Sequence, residues 1–150
     1  MIFRGTFDHT LDEKHRLTVP SKFRLALSEG AVLAKSNEIE PGSPRCVSIW
    51  TPQGYEEFTG QVLAALNPLS PKARDLKRFF FNNSFDMELD KANRLMVPQP
   101  LMEYAALDRN VVVAGSGECI ELWDRDAYHR YHDGVMNRIP EIAASLGDTA

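Results

Sequence analysis

Alternation of apolar and polar residues predicts short β-strands in both halves of the chain. Residues 3–8 alternate in this way, as do residues 17–19 just before Pro20. Proline has no amide N–H to donate to a neighbouring strand, so we expect it to end the strand that precedes it. Short apolar runs suit buried strands, and they give four more, at 31–34, 46–50, 111–114 and 120–123.

Three helices are predicted from apolar residues that recur every three to four positions. Thr51-Pro52 and Ser70-Pro71 each combine a capping side chain with a proline at the first helical position. Asp124 is the corresponding cap of the third helix, and we expect Pro140 to end it. The predicted inward faces are Tyr55, Phe58, Val62 and Leu66; Ala73, Leu76 and Phe80; and Tyr128, Tyr131, Val135 and Ile139.

A ten-residue phrase occurs twice. Residues 11–20 read LDEKHRLTVP and residues 89–98 read LDKANRLMVP, with six of ten positions identical at an offset of 78 residues. Phe7-Asp8 and Ile49-Trp50 also have counterparts in the second half, and the first copy is longer near residues 38–43. A repeat of this length indicates a duplicated structural unit.

The two units are too short to be independent domains. A unit of about 75 residues is marginal as a separate hydrophobic core, so we expect the halves to share one. The first unit is predicted to span 1–80 with a core at about 7–54, and the second 81–150 with a core at about 83–126. We expect one α+β body with internal pseudo-two-fold symmetry, each unit running strand, loop, strand, short turn or helix, strand, strand, helix.

The repeated phrase places an Asp and an Arg four residues apart between two strands. The pairs are Asp12 with Arg16 and Asp90 with Arg94. The residues between them must turn the chain, and an Asp–Arg pair can close the mouth of such a loop with a charge-assisted hydrogen bond. One interpretation is a solvated turn held by an ionic strut. The other is a shaped loop that presents its tip to a partner.

The residues at the loop tips are of types that can contact nucleic acid. The first tip is Glu13-Lys14-His15 and the second is Lys91-Ala92-Asn93. Lysine neutralises phosphate, and His or Asn can bond phosphate or a base edge. In the second interpretation, Lys14 and Lys91 contact phosphate, and His15 and Asn93 contact a base edge or sugar; in the first, all four are solvated turn residues.

Overall charge argues weakly against nucleic acid, but the charge is unevenly distributed. The net charge is -4. Residues 1–80 contain 11 Lys and Arg and 9 Asp and Glu, giving +2, whereas residues 81–150 contain 6 and 12, giving -6. The first 24 residues hold five basic residues, Arg4 among them, against three acidic ones. A local basic face is therefore compatible with an acidic chain.

Other sequence features point to a cytosolic protein that is not an enzyme. The chain has no apolar run of eighteen residues, no signal-peptide pattern, and two isolated cysteines of the kind that stay reduced and buried. His129 and His132 lack further metal ligands, and Gly115-Ser116-Gly117 lacks the ending of a phosphate-binding loop. We expect no metal, no cofactor, no small-molecule substrate and no membrane partner.

The repeated DxxxR followed by a short apolar strand and Pro resembles the MraZ family. The opening FRGTFDHTLDEKHRLTVPSKFR and the Leu-Trp-Asp at 122–124 match that family as well, so the resemblance covers essentially the whole chain. It implies two looped-hairpin units of the AbrB/SpoVT swapped-hairpin class, interleaved in one chain. His15 departs from the Gly usual in the first tip, and Asn93 from the frequent Gly of the second.

The resemblance implies a bacterial transcriptional regulator of the division and cell-wall gene cluster. Such proteins often repress their own operon, and they assemble into rings that meet repeated short sites on double-stranded DNA. We expect a homo-oligomer, cytoplasmic and nucleoid-associated; the alternative is a structural or protein-interaction ring with no nucleic-acid role. The expected DNA contacts are Lys14, His15, Arg16, Lys91, Asn93, Arg94 and Arg4, with Asp12 and Asp90 shaping the loops.

Overall fold

The order strand, strand, helix, strand, strand, helix occurs twice, with one helix linking the copies. The computed structural model describes residues 2–38 and 40–148. The first copy contains β1 Thr6–Thr10, β2 Arg16–Thr18, α1 Ser21–Arg24, β3 Ala31–Lys35, β4 Val47–Trp50 and α2 Pro52–Ala64, and the linking helix is α3 Pro71–Asn82. The second contains β5 Ser84–Met87, β6 Arg94–Met96, α4 Gln99–Tyr104, β7 Asn110–Gly115, β8 Ile120–Asp124 and α5 Arg125–Asp148.

Among the described residues, four of the six strand pairings join strands from different halves: β1 with β7, β2 with β6, β3 with β5, and β4 with β8. One antiparallel sheet has the order β1-β7-β8-β4-β3-β5, and β2 pairs with β6 in a separate ribbon. The sheet order reads the same from either end when each strand is exchanged for its counterpart in the repeat. Each edge strand pairs with a strand of the other half, so the halves are interleaved, as the shortness of each unit predicted.

One face of the sheet packs against the ribbon and the two short helices. Its core includes Leu17 and Leu95 from the ribbon, with Phe23 and Leu101 from the helices. The opposite face is covered by the long helices, because Trp50 packs with Tyr55 of α2, and Trp123 with Tyr128 of α5. The ribbon therefore has one buried face and one face turned away from the core.

The C-terminal helix corrects one prediction from the sequence. Pro140 does not end α5, which continues to Asp148. Proline removes one hydrogen bond to the preceding turn, but the later residues still bond among themselves. Ile139, predicted to face inward, is 44% exposed, and Tyr131 is 36% exposed. No helix in the described part of the chain is long and apolar enough to cross a membrane.

Candidate nucleic-acid interface

The first DxxxR loop is organised around the carboxylate of Asp12. Its Oδ1 accepts hydrogen bonds from the backbone N–H groups of Lys14 and Arg16, both at 2.9 Å. Its Oδ2 accepts one from Arg16 Nε at 2.7 Å, and the Asp12 carbonyl accepts one from His15 N at 3.0 Å. A short side chain that bonds its own backbone two residues later is a preferred way to fix a turn.

The second loop repeats this geometry. Asp90 Oδ1 accepts from the N–H groups of Ala92 and Arg94 at 2.9 Å, and Oδ2 accepts from Arg94 Nε at 2.8 Å. The third residue of each tip is left-handed, with φ 58° at His15 and 60° at Asn93. Asn adopts this conformation readily and His less often. Both loops therefore contain the left-handed position that favours glycine, although neither has a glycine there.

Both carboxylates are held in the ionised form. Partial burial acts to raise the pKa of Asp12, but hydrogen bonds from the Arg16 backbone and side chain and from the Lys14 N–H lower it overall. For Asp90, hydrogen bonding by the Arg94 backbone is the largest cause of a lowered pKa. A carboxylate that is already paired and charged has no favourable contact with phosphate. In the structure, each aspartate instead bonds the backbone and the arginine of its own loop.

The fold joins the two loops through one two-stranded ribbon. In the β2–β6 ribbon Arg16 lies opposite Met96 and Thr18 opposite Arg94. The pairing continues past the strands, because Val19 N donates to Asn93 O at 2.9 Å and Val97 N donates to His15 O at 2.8 Å. The two loops therefore start at opposite ends of one short ribbon and are fixed relative to each other by backbone hydrogen bonds.

An ion pair also connects the two loops. Arg94 Nη1 lies 3.9 Å from Asp12 Oδ2, so the second loop's arginine also approaches the first loop's carboxylate. The alternation of the ribbon buries Leu17 and Leu95 and leaves Thr18 and Met96 exposed. Thr18 and Met96 were not among the predicted site residues. The strict alternation around the two leucines was the signal that could have identified them.

The other predicted residues divide into two groups. Lys14 and Lys91 are exposed at the tips, and His15 and Asn93 are half-buried where the turn closes. Arg4 is not brought to the loops. It adjoins the pairing of Gly115 N with Gly5 O, at the end of the β1–β7 pair away from the loops. Its carbonyl accepts a hydrogen bond from Lys22 Nζ at 3.2 Å.

Comparison with known proteins gives consistent matches across the chain. A family model described as "MraZ protein, putative antitoxin-like" matches residues 2–79 and again residues 80–145. The transcriptional regulator MraZ of Micrococcus luteus is 40% identical over 131 residues, which cover 87% of this chain and 86% of that protein.

Two further relatives match over nearly their full length. The transcriptional regulator MraZ of Mycoplasmoides gallisepticum is 33% identical over 147 residues, covering 98% of this chain and 99% of that protein. The protein of the same name from Mesoplasma florum is 31% identical over 146 residues, covering 97% and 96%. Because both halves match the family model and these relatives align along almost the entire sequence, the chain belongs to the MraZ family.

Proposed function

We propose that this chain is a transcriptional regulator that binds double-stranded DNA sequence-specifically through its two DxxxR loops. The observation that carries the proposal is the β2–β6 ribbon, which joins both loops on one outward surface. The major groove of B-DNA is about 12 Å wide and admits a two-stranded ribbon. Relatives named transcriptional regulator MraZ support the same function.

Within the loops, different residues have different roles. Lys14 and Lys91 contact phosphate, since a lysine at an exposed tip is a mobile point charge. Arg16 uses Nε to hold its loop, and a guanidinium has further donors available for DNA. Arg94 has the same role in the second loop. Sequence is read by His15 and Asn93 and by the outward face of the ribbon.

Two outward residues of the ribbon complete the reading surface. Thr18 can bond a base edge through its hydroxyl or contact a thymine methyl group, and Met96 offers an apolar contact of the same kind. Each of these residues lies opposite a loop arginine in the strand pairing. A single ribbon thus combines charged and apolar contacts within one groove.

Binding requires several copies of the chain. One ribbon offers few cationic side chains, and each phosphate neutralised contributes only about 0.9 to the salt slope. A net charge of -4 opposes the approach of DNA. A ring of copies, with its loops meeting repeated short sites, multiplies the contacts by raising the effective concentration of each loop. The proposed targets are the chain's own promoter and the division and cell-wall gene cluster, bound in the cytoplasm at the nucleoid.

The proposal is tested by binding to the chain's own upstream promoter duplex at several salt concentrations, beside a shuffled duplex of equal composition. We expect preference for the promoter and a linear fall of log K with log salt. Lys14→Ala should reduce the slope of log K against log salt by about one unit per loop engaged. It should weaken binding to both duplexes equally. Lys72→Ala, an exposed lysine on α3, is the matched control. A ring that formed normally but showed no salt-dependent binding would favour the structural alternative.

A further inference from the structure

The two ends of the ribbon have neighbours of opposite charge. Beside the first loop lies a basic flank, defined as Arg24, Arg109 and Arg125 around His9. Beside the second loop lies an acidic flank, defined as Glu29, Asp86 and Glu88. Strand pairing between the two halves brings the residues of each flank together. The strands are β1 and β7 in the basic flank and β5 and β3 in the acidic flank.

The flanks occupy equivalent places in the repeat. His9 lies opposite Val111 in the sheet, and the counterpart pair is Met87 with Ala31. Arg109 lies two residues before Val111, and Glu29 lies two residues before Ala31. The repeat therefore has an arginine in the basic flank where it has a glutamate in the acidic flank. The remaining arginines are also replaced, since the counterpart of Arg125 is Pro52 and that of Arg24 is Met102.

The basic flank is anchored by backbone carbonyls. Arg125 Nη2 donates to His9 O at 2.7 Å and Nε donates to Val111 O at 3.4 Å. Arg24 Nε donates to Val19 O at 2.9 Å. The Arg125 side chain is 29% exposed, and its one acidic neighbour within 4 Å in the described residues is Asp8, at 3.9 Å. Carbonyls orient a guanidinium without neutralising its charge.

The arginines of the basic flank also approach one imidazole. Burial lowers the pKa of His9, and the charges of Arg125 and then Arg24 lower it further. Arg109 is exposed, and its carbonyl accepts a hydrogen bond from Leu11 N at 2.8 Å, one residue before Asp12. Arg125 and Arg24 therefore lie close enough to His9 to lower its pKa, and Arg109 adds a third positive charge beside the first loop.

The acidic flank is an open depression with no counterpart cations. Glu29, Asp86 and Glu88 line a shallow cavity of about 430 Å³ together with Pro52 and Met87. In the basic flank, the place of Pro52 is taken by the long side chain of Arg125. The same position in the repeat therefore holds a positive charge beside the first loop and an uncharged proline beside the second.

We propose that the basic flank binds the phosphodiester backbone of the duplex read by the loops, and that the acidic flank keeps the backbone away, so that DNA lies asymmetrically across the ribbon. His9 is three residues before Asp12 in an extended segment, about 10 Å along the chain at 3.3 Å per residue. That distance is comparable with the major-groove width of about 12 Å, which places the flank at a groove edge when the loops enter the groove. The inference rests on the proposed function.

The test compares salt slopes of wild type, Arg109→Gln and Arg125→Gln on the promoter duplex. Each lost phosphate contact should reduce the slope by about 0.9, with the same loss of affinity for the shuffled duplex. The control is Arg74→Gln, an equal charge change on the exposed face of α3, which should leave the slope close to wild type. Arg125→Lys retains the charge and should restore the slope even where thermal unfolding shows that the lost carbonyl contacts lower stability.

Phosphate ethylation interference gives the second measurement. In the wild type we expect interference to extend further on the side of the basic flank than on the side of the acidic flank. The Arg109→Gln and Arg125→Gln variants should lose that extension. Glu29→Gln and Glu88→Gln should extend interference on the side of the acidic flank, because the negative charges that keep the backbone away are then removed.

Three outcomes overturn the inference. If Arg109→Gln and Arg125→Gln had the same salt slope as Arg74→Gln while Lys14→Ala still reduced the slope by about one, the role of the basic flank would be refuted. The proposed DNA binding by the loops would stand. Flank variants that bind DNA with an unchanged slope but lose self-association in light scattering would assign the basic flank to the acidic flank of a second copy. A wild type that binds no duplex would refute the proposed function together with the flank.

Discussion

The two DxxxR loops have nearly the same backbone and very different surroundings. The Arg Nε to Asp Oδ2 distance is 2.7 Å in the first and 2.8 Å in the second, and φ at the third tip residue is 58° and 60°. Yet Arg109 lies beside the first loop, where Glu29 lies beside the second. Duplication preserved the residues that build the turn, whereas the residues that set its electrostatic surroundings diverged.

The buried regions of the two halves differ in a similar way. Trp123 Nε1 donates to Glu121 Oε1 at 3.2 Å, whereas the buried Trp50 Nε1 has no hydrogen-bond partner among the described residues. The counterpart of Glu121 is Ser48, whose hydroxyl instead donates to Ala34 O at 3.2 Å. The two halves therefore share the same strands and helices but differ in buried hydrogen bonding. Among the described residues, the indole donor is paired in the second half and unpaired in the first.

The largest expected effect comes from separating the halves. Residues 1–80 and residues 81–150, expressed as separate chains, should each fail to give a cooperative thermal transition, because β1, β2 and β3 pair with β7, β6 and β5. Mixing the two fragments should restore the transition. Circular dichroism on heating measures both. A cooperatively folded monomer of residues 1–80 alone would contradict the shared core.

Loop arginines should matter more for DNA binding than tip lysines. Arg16→Ala removes a charge and also the hydrogen bond to Asp12 that holds its loop, so we expect a greater loss of affinity than for Lys14→Ala. The loss should be on the order of tenfold to a hundredfold, as for a charged hydrogen bond. Arg94→Ala should be at least as damaging, since Arg94 approaches both Asp90 and Asp12. Titration of the promoter duplex measures the affinities.

These arginine variants should remain folded. Exposed ion pairs contribute about 0–1 kcal/mol to the free energy of unfolding, so both variants should melt close to wild type. Wild-type DNA binding by a folded, assembled Arg16→Ala protein would contradict the role assigned to that residue. Equal affinities for Arg16→Ala and Lys14→Ala would show that the loop shape has no effect on binding.

The tryptophans provide a comparison inside the core. Trp123→Phe removes a paired donor and leaves Glu121 without that bond, while Trp50→Phe removes a buried N–H with no partner. An unsatisfied buried donor costs about 1–3 kcal/mol, so Trp50→Phe should destabilise less than Trp123→Phe by about 1 kcal/mol. Urea denaturation of both variants measures the difference. A larger loss for Trp50→Phe would mean that its indole has a partner in solution.

The smallest expected effect concerns the left-handed residues of the tips. A left-handed conformation costs a residue with a side chain about 1–2 kcal/mol, and Asn tolerates it better than most. His15→Gly should therefore stabilise the protein by about 0.5–1 kcal/mol after the entropy cost of glycine, and Asn93→Gly by less. Thermal unfolding measures both changes. A greater gain at Asn93 would reverse the assignment of strain to the first loop.

The sequence by itself determined the local structure, because the interactions that produce it lie within a few residues. Each Asp bonds backbone groups two and four positions later, so ten residues suffice to specify the turn. The helix starts were also local, since Thr51 bonds Gly54 N at 3.0 Å and Ser70 bonds Ala73 N at 3.2 Å. Pro140 was the exception, because one missing hydrogen bond did not outweigh the helix that follows it.

Only the tertiary structure decided which surface the loops share. The β2–β6 pairing joins residues about 78 apart, and nothing within either phrase specifies that partner. The flanks depend equally on long-range pairing, because Arg109 and Arg125 come from the second half yet lie beside the first loop. Their counterparts break the repeat, so comparing the two copies did not reveal them. Hydrogen bonding between distant strands, rather than local preference, placed the charges around each loop.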